Sequence, residues 1–363
     1  MIVMQRFYRI SRYFLPVMFF GYVPFANLAV YEHPGGKLAA FDMAALRGTV
    51  THSFDTLYKT AMPHREPSIG VMGAARYLLI GEGRQGVVVG RDGWLFTSEE
   101  TRPLPASLQP SVAKIAEVRD LLAIHGTKLI VVPLPAKVDV QSAHASVPEL
   151  SAEMAGFYAD LLANLNAAQI EAVDARTPLV ELVKSKPAFF ATDTHWTLDG
   201  AAAVAIAVAN SGLIPLGAAD MTRTEEPKAD FAGDLVSYVT TEGIAPMLGL
   251  DREDANPYVV AAPADTSDIF GAAQVDVVLI GTSYSANPHW SFAEALKLDL
   301  HQDVLNAAEP GLGPVKPMDK YLASESFRDT PPKVVIWEIP LRYLTDPKLW
   351  DGHKIGQELA SAD

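Results

Sequence analysis

Two short segments of this 363-residue chain carry side chains suited to chemistry. The first, Gly281-Thr282-Ser283-Tyr284-Ser285, follows directly on the apolar run Val275–Ile280. A small residue and then a serine at a strand-to-helix turn exposes the hydroxyl. It also aims backbone N–H groups of the turn at whatever the serine attacks. Taken alone, the pentapeptide reads equally as an ordinary Ser/Thr cap of the helix expected from about Pro288. The second segment is Asp193-Thr194-His195-Trp196, followed by Thr197 and Asp199-Gly200. Residues two apart in extended backbone face the same way, so the Asp193 carboxylate can fix the His195 tautomer and leave the other ring nitrogen as a base. Asp and His would also suit a metal ion, or a helix cap beside a packed histidine. Metal is disfavoured, because the other eight histidines are scattered without a His-x-x-x-His spacing. Together Ser283, His195 and Asp193 supply nucleophile, base and orienting acid. That set points to acyl transfer with no metal and no cofactor.

The elements that must position these groups alternate between helices and buried strands. A β-hairpin is expected over 86–96, with Asp92-Gly93 as its turn. A helix over 111–125 ends at Gly126, and Lys128–Pro133 reads as a central parallel strand. Helix over 150–168, a short strand at 171–174, and helix to about Lys184 follow. Thr197 caps a helix over 198–209. Val275–Ile280, Asp303–Asn306 and Lys333–Glu338 are the remaining strands. This order argues for an α/β fold with a doubly wound parallel sheet, in which chemistry sits at the carboxyl ends of the strands. Residues 213–270 break the rhythm and read as an irregular insertion.

Composition removes several function classes. The 49% hydrophobic content is that of a globular chain, and the absence of cysteine excludes disulfides, thiolate metal sites and a thiol nucleophile. Net charge is −14, yet residues 1–30 hold Arg6, Arg9 and Arg12 and no acid, so the remainder carries −17. Such a body repels phosphate backbones, so nucleic acid is not an expected partner. Behind the arginines, Tyr13–Val30 is uncharged over 18 residues but contains Pro16 and Pro24. Ala26-Asn27-Leu28-Ala29 is a poor cleavage site. Residues 1–30 are therefore expected to be an uncleaved signal anchor in the inner membrane, with the body exported, against the alternative of a buried N-terminal helix of a cytosolic protein. A stalk with short helices is expected over 31–80, the catalytic domain over 81–346, and a polar tail over 347–363.

The segments Gly81-Glu82-Gly83 with GVVVGRDGWLF (86–96), DTHWTLDGA (193–201), GTSYS (281–285) and WEIPLRYL (337–344) carry a resemblance. The sequence resembles the AlgJ/AlgX-type alginate O-acetyltransferase family of the SGNH-hydrolase superfamily, over about residues 80–345. Asp-x-His stands before the serine here, the circularly permuted motif order typical of that group. The resemblance implies a flavodoxin-like SGNH domain with Asp193, His195 and Ser283 as its triad. Thr282 stands where other SGNH enzymes have Asp. With an N-terminal anchor and no room for a C-terminal carbohydrate-binding module, the chain looks closer to the AlgJ type. The resemblance further implies a periplasmic location, an exopolysaccharide acceptor, and a membrane acyltransferase partner of the MBOAT type.

Acyl transfer needs donors aimed at a tetrahedral oxyanion. The N–H groups of Ser283 and Tyr284 are one expected pair. Gly313, in Gly311-Leu312-Gly313-Pro314, sits where SGNH enzymes place a glycine donor, and the Asn306 side chain is a further candidate. Trp196, Tyr284, Trp290, Trp337 and Arg342 are candidates for lining a sugar groove, with core packing favoured for Trp337. Asp234 lies in a segment of family appearance without an assigned role. Three functions remain open: an acetyltransferase acting on an alginate-like or neutral, cellulose-like polymer, an acetylesterase with the same triad, and a non-catalytic scaffold of a polysaccharide-acetylating machine.

Overall fold

The computed structural model describes residues 2–32, 49–262 and 275–350, and its chain divides into two compact units, 1–75 and 76–363. In the first unit, α1 (Ile2–Glu32) is one helix through Pro16 and Pro24, followed by α2 (Thr49–Ala61) and the start of α3 (Arg65–Ile80). Ala26 and Val30 are buried, and Tyr22 packs its ring against His64. The signal anchor expected over residues 1–30 falls on α1. No helix among the described residues is long and apolar enough to cross a membrane. The stalk expected over 31–80 is represented by α2 and α3, and residues 33–48 lie outside the described part.

The second unit opens with the hairpin β1 (Val87–Val89) and β2 (Leu95–Thr97). Asp92 at φ +54° and Gly93 at φ +78° give the left-handed turn that matches strand twist. A 3₁₀ turn, Ser98–Thr101, leads to α4 (Gln109–Ile124), closed by Gly126 at φ +73°. Then come β3 (Lys128–Leu134), the single turn α5 (Lys137–Val140), α6 (Pro148–Ala167) and α7 (Arg176–Leu182). The short strand expected at 171–174 is a single bridge, Ala172 to Val131. Thr197 caps α8 (Leu198–Asn210) by accepting from the Gly200 N–H. The alanines of α8 allow close packing against its neighbours, and a Cβ on Gly200 would stand 2.2 Å from the Ala188 carbonyl oxygen.

The insertion is more regular than its sequence suggests. β4 (Thr222–Glu225), β5 (Ala229–Phe231), β6 (Glu253–Ala255) and β7 (Tyr258–Ala261) form two antiparallel ribbons, β4 with β7 and β5 with β6. Its last part, 263–274, lies outside the described residues. Beyond it are β8 (Val277–Ile280), α9 (Ser283–Ala286), α10 (Phe292–Leu300), β9 (Val304–Asn306), α11 (Val315–Leu322), α12 (Glu325–Asp329) and β10 (Val334–Pro340). Of the polar tail, residues 347–350 are a short turn and 351–363 lie outside the described residues.

The main sheet is parallel with strand order β3-β10-β8-β9. β10, the last strand in the chain, slots between β3 and β8, with Ile336 opposite Ile130 on one side and Leu279 on the other. All seven of its residues are buried, which is why it reads as an unbroken apolar run around one acid, Glu338. The carboxyl ends of β8, β10 and β3 lead into Gly281-Thr282-Ser283, Leu341-Arg342 and Ala136-Lys137, so these three segments meet at one edge.

Candidate active site

The loop from Phe189 to Trp196 is pinched by a bridge between its ends, and within it Phe190 N–H donates to the His195 carbonyl. This turn brings the Asp193 carboxylate under the His195 ring. Nδ1 lies 2.6 Å from Asp193 Oδ1, and His195 N–H donates to the same oxygen at 2.9 Å. The other oxygen, Oδ2, accepts from Asp234 N–H at 2.9 Å. A carboxylate only accepts, so Nδ1 carries the proton and Nε2 is left as the base. Nε2 lies 2.7 Å from Ser283 Oγ. The structure thus places the three predicted side chains in one hydrogen-bonded line.

Burial pushes the Asp193 carboxyl up, but the His195 hydrogen bond and charge outweigh it, with help from the N–H groups of Asp234 and His195. The result is a value below the ordinary carboxylate range. Asp234, which the sequence left without a role, is part of the same loop support. Its Oδ1 accepts from Thr194 N–H at 2.7 Å and Thr194 Oγ1 at 3.0 Å. Desolvation and the neighbouring Asp193 charge push its pKa up. Gly233 is required beside it, because a Cβ there would lie 2.2 Å from the Thr192 carbonyl oxygen. Asp193, His195 and Asp234 bring ligand-capable atoms within 4.8 Å of one another. Their atoms are already engaged with each other and with loop N–H groups, so hydrogen bonding accounts for the cluster.

Ser283 is the first residue of α9, a single turn ahead of the helix expected from about Pro288, where a 3₁₀ turn, Pro288–Trp290, leads into α10. Thr282 caps α9, with its Oγ1 accepting from Tyr284 N–H over a long 3.4 Å. Beneath the turn lies a group that sequence reading missed. Glu338 is fully buried and accepts from Thr282 N–H at 2.7 Å, from Thr282 Oγ1 at 3.1 Å and from Ser285 Oγ at 3.0 Å. A Cβ on Gly281 would stand 2.4 Å from its Oε2, which explains the glycine before the threonine. The clue was an acid inside an otherwise apolar strand, since a buried acid needs donors. Burial pushes the Glu338 carboxyl up, and the three donors and Arg342 oppose that rise. Glu338→Ala would leave those donors unpaired and is expected to lower stability by about 3 kcal/mol in urea unfolding.

The aromatic candidates separate into two groups. Trp290 stacks on His195 at 5.3 Å, and Tyr284 packs against the same ring at 4.8 Å. Trp196 and Arg342, expected to bind sugar, are instead interior residues, 0% and 5% exposed. Trp196 Nε1 donates to the Tyr284 carbonyl at 3.1 Å. Arg342 donates from Nη1 to Tyr284 Oη at 3.0 Å and from Nε to Glu99 at 2.9 Å, while Tyr284 Oη donates to the Thr194 carbonyl at 2.8 Å. Their polar atoms are spent inside the protein: Trp196 ties the histidine loop to the serine turn, and Arg342 ties Tyr284 of that turn to Glu99 after β2. Trp290 is buried as well, and Trp337 is a core residue whose Nε1 donates to the Pro314 carbonyl. Asn306 donates to the Ser285 carbonyl at 2.7 Å and accepts from Ala308 N–H, so its side chain supports the turn from below. Gly313, at φ +69°, faces Tyr343 and Leu349.

The family described as the SGNH hydrolase-like domain of the acetyltransferase AlgX matches residues 87–341. The chain belongs to this family. Among relatives of the AlgX-type family, the probable alginate O-acetylase AlgJ of Pseudomonas putida is 35% identical over 315 residues, covering 83% of this chain and 81% of its own. The protein of the same description from Pseudomonas aeruginosa is 34% identical over 345 residues, covering 90% and 88%. The solved O-acetyltransferase domain of P. putida AlgJ superposes with a TM-score of 0.62 at 32% identity, covering 74% of this chain and all of that domain. P. aeruginosa AlgX, at 24% identity and a TM-score of 0.59, shares the fold over 73% of this chain and 65% of its own. The AlgX-type SGNH fold is therefore the frame on which Asp193, His195 and Ser283 converge.

Proposed function

We propose that this chain is a periplasmic O-acetyltransferase that carries acetyl on Ser283 and passes it to hydroxyls of an exopolysaccharide. The observation that carries this reading is the unbroken line from Asp193 through His195 to Ser283. Nε2 takes the Ser283 proton as Oγ attacks the acetyl carbonyl, and Asp193 stabilises the imidazolium that forms. In this reading the tetrahedral oxyanion is received by Tyr284 N–H, whose contact to Thr282 Oγ1 is long. Collapse expels the donor's leaving group, which takes the proton back from His195. A sugar hydroxyl then gives its proton to Nε2 and attacks the acetyl-serine, and Ser283 Oγ leaves with that proton from His195, which restores the free enzyme.

A membrane acyltransferase of the MBOAT type supplies the acetyl group in this reading. Helix α1 exposes Phe14, Val17, Phe19 and Phe20, which suits contact with a membrane. The relatives' descriptions name alginate, so a uronate polymer is one acceptor. The body's net charge of −17 makes a neutral glucan a rival acceptor. Intact mass spectrometry of the full chain with a small acetyl ester, with and without oligo-uronate or cello-oligosaccharide, tests the proposal. An acetyl adduct on Ser283 that discharges faster onto one of these sugars than onto water is the expected result, and the faster sugar names the acceptor class. An adduct lost equally fast without sugar makes the chain an esterase, and no adduct at all overturns the catalytic reading.

A further inference from the structure

Lys137 sits directly behind the histidine loop and is 1% exposed. Each of its three ammonium protons is spent on a main-chain carbonyl: Leu95 at 2.6 Å, Ala191 at 3.0 Å and Asp193 at 2.8 Å. Leu95 N–H in turn donates to the Ala191 carbonyl, so hairpin and loop are stitched together at this point. The rings of Trp94 and Phe96 each lie 5.2 Å from Nζ. Behind the lysine, Glu100 is 2% exposed and accepts from the N–H groups of Lys137 and Val138 at 2.8 and 2.9 Å. Its carboxylate therefore anchors the backbone that presents the ammonium. A brace that only filled space would not need a charge, since burying an ammonium is costly and a methionine fills a similar volume.

We propose that Lys137 is a positioning residue for the triad, its ammonium clamping the carbonyls on either side of Thr192 so that the Asp193 carboxylate stays aligned with His195 Nδ1. The activity arm of its test rests on the acyl-transfer reading above. The groups facing the ammonium are all acids: Glu100 from the turn after β2, Asp193 from the loop, and Glu253 and Asp234 from the insertion. Burial outweighs them and brings Lys137 down to about 8. A neutral amine has two protons and a lone pair, so above that pH one of the three carbonyls loses its donor and Asp193 loses a nearby positive charge. Alignment is present below about pH 8 and lost above it.

The experiment uses the full chain between pH 6 and pH 10 with two readouts. One is the deshielded proton NMR signal of His195 Nδ1–H, whose 2.6 Å bond to Asp193 needs no substrate. The other is kcat and KM for a small acetyl ester. Wild type is expected to lose both the signal and kcat with a midpoint near 8. Lys137→Met is expected to lower kcat about 100-fold with KM nearly unchanged, and to abolish that alkaline limb. Glu100→Gln removes the acid that most raises Lys137, so its limb moves to lower pH. A wild-type Nδ1–H signal that persists unchanged through pH 9 overturns the proposal, whether or not either variant folds. So does a folded Lys137→Met with wild-type kcat and the same limb. If wild type shows the transition in the signal but no turnover, the acyl-transfer reading fails and the clamp stands.

Discussion

Ser283→Ala is expected to lower kcat for acetyl-ester turnover by on the order of 10⁶-fold, with thermal stability unchanged. The two halves of this prediction have separate causes. The Ser283 hydroxyl is bonded to His195 Nε2, the nitrogen that must act as base, and no other side chain of the turn lies in that line. Removing it leaves His195 and any oxyanion donors with no nucleophile to assist. The same residue opens α9, where alanine is a good helix former, and Thr282 rather than Ser283 caps the turn. The fold therefore has no use for the hydroxyl, and the stability change should stay within about 0.5 kcal/mol. Ser285, two residues on, supplies the control. It is buried and donates to Glu338 at 3.0 Å, so Ser285→Ala should cost about 1 kcal/mol of stability and only a modest part of the rate. Initial rates and urea melts of the two variants check the pair. The reverse pattern, an active Ser283→Ala beside a dead Ser285→Ala, would move the nucleophile.

Much of the frame was legible because β3, β8 and β10 are buried on both faces and read as apolar runs. Thr197 and Gly126 marked helix ends through local chemistry, one by its side-chain cap and the other by its positive φ. The insertion was not legible for the opposite reason. All four residues of β4 are exposed, so no alternation betrays the strand, and its partner β7 lies more than thirty residues away. The single turn α9 was not legible because Pro288 is the stronger helix-start signal. It opens a 3₁₀ turn here, while the preceding helix is a single turn that Thr282 begins. The N-terminal run reads as a membrane span on its lack of charge, whereas among the described residues no helix is long and apolar enough to cross a membrane.

The pairing of Asp193 with His195 was visible from residue type and spacing, because the two sit within one turn of chain. What supports it was not. Glu338 reaches Thr282 across 56 residues, Asp234 reaches Asp193 across 41, and Arg342 reaches Glu99 across 243. Such partners meet only through the sheet order, and a single sequence does not reveal that β10 lies between β3 and β8. The same ignorance put Trp196 and Arg342 in a sugar groove. Type alone makes both fit for carbohydrate, whereas burial and spent donors make them internal ties.

Asp193→Asn separates the catalytic reading from the scaffold. Three donors converge on this carboxylate: His195 Nδ1–H and N–H on Oδ1, and Asp234 N–H on Oδ2. An amide offers one acceptor oxygen, so its NH₂ must face one of those donors, and either placement loses the negative charge that stabilises the imidazolium. The expected fall in kcat at neutral pH is about 10⁴-fold. Stability should fall too, by an amount that depends on pH. The Asp193 pKa is lower in the folded protein than its ordinary value, so its contribution is fully present above about pH 4 and disappears as pH falls through the folded value. Denaturation of wild type and variant should differ most at neutral pH and converge in acid, while the rate deficit is measured at neutral pH alone. A scaffold that kept the fold would show the converging stability curves with no rate to lose. An enzyme must show both, because the same three hydrogen bonds hold the loop in place and hold the charge that His195 needs as it takes the serine proton.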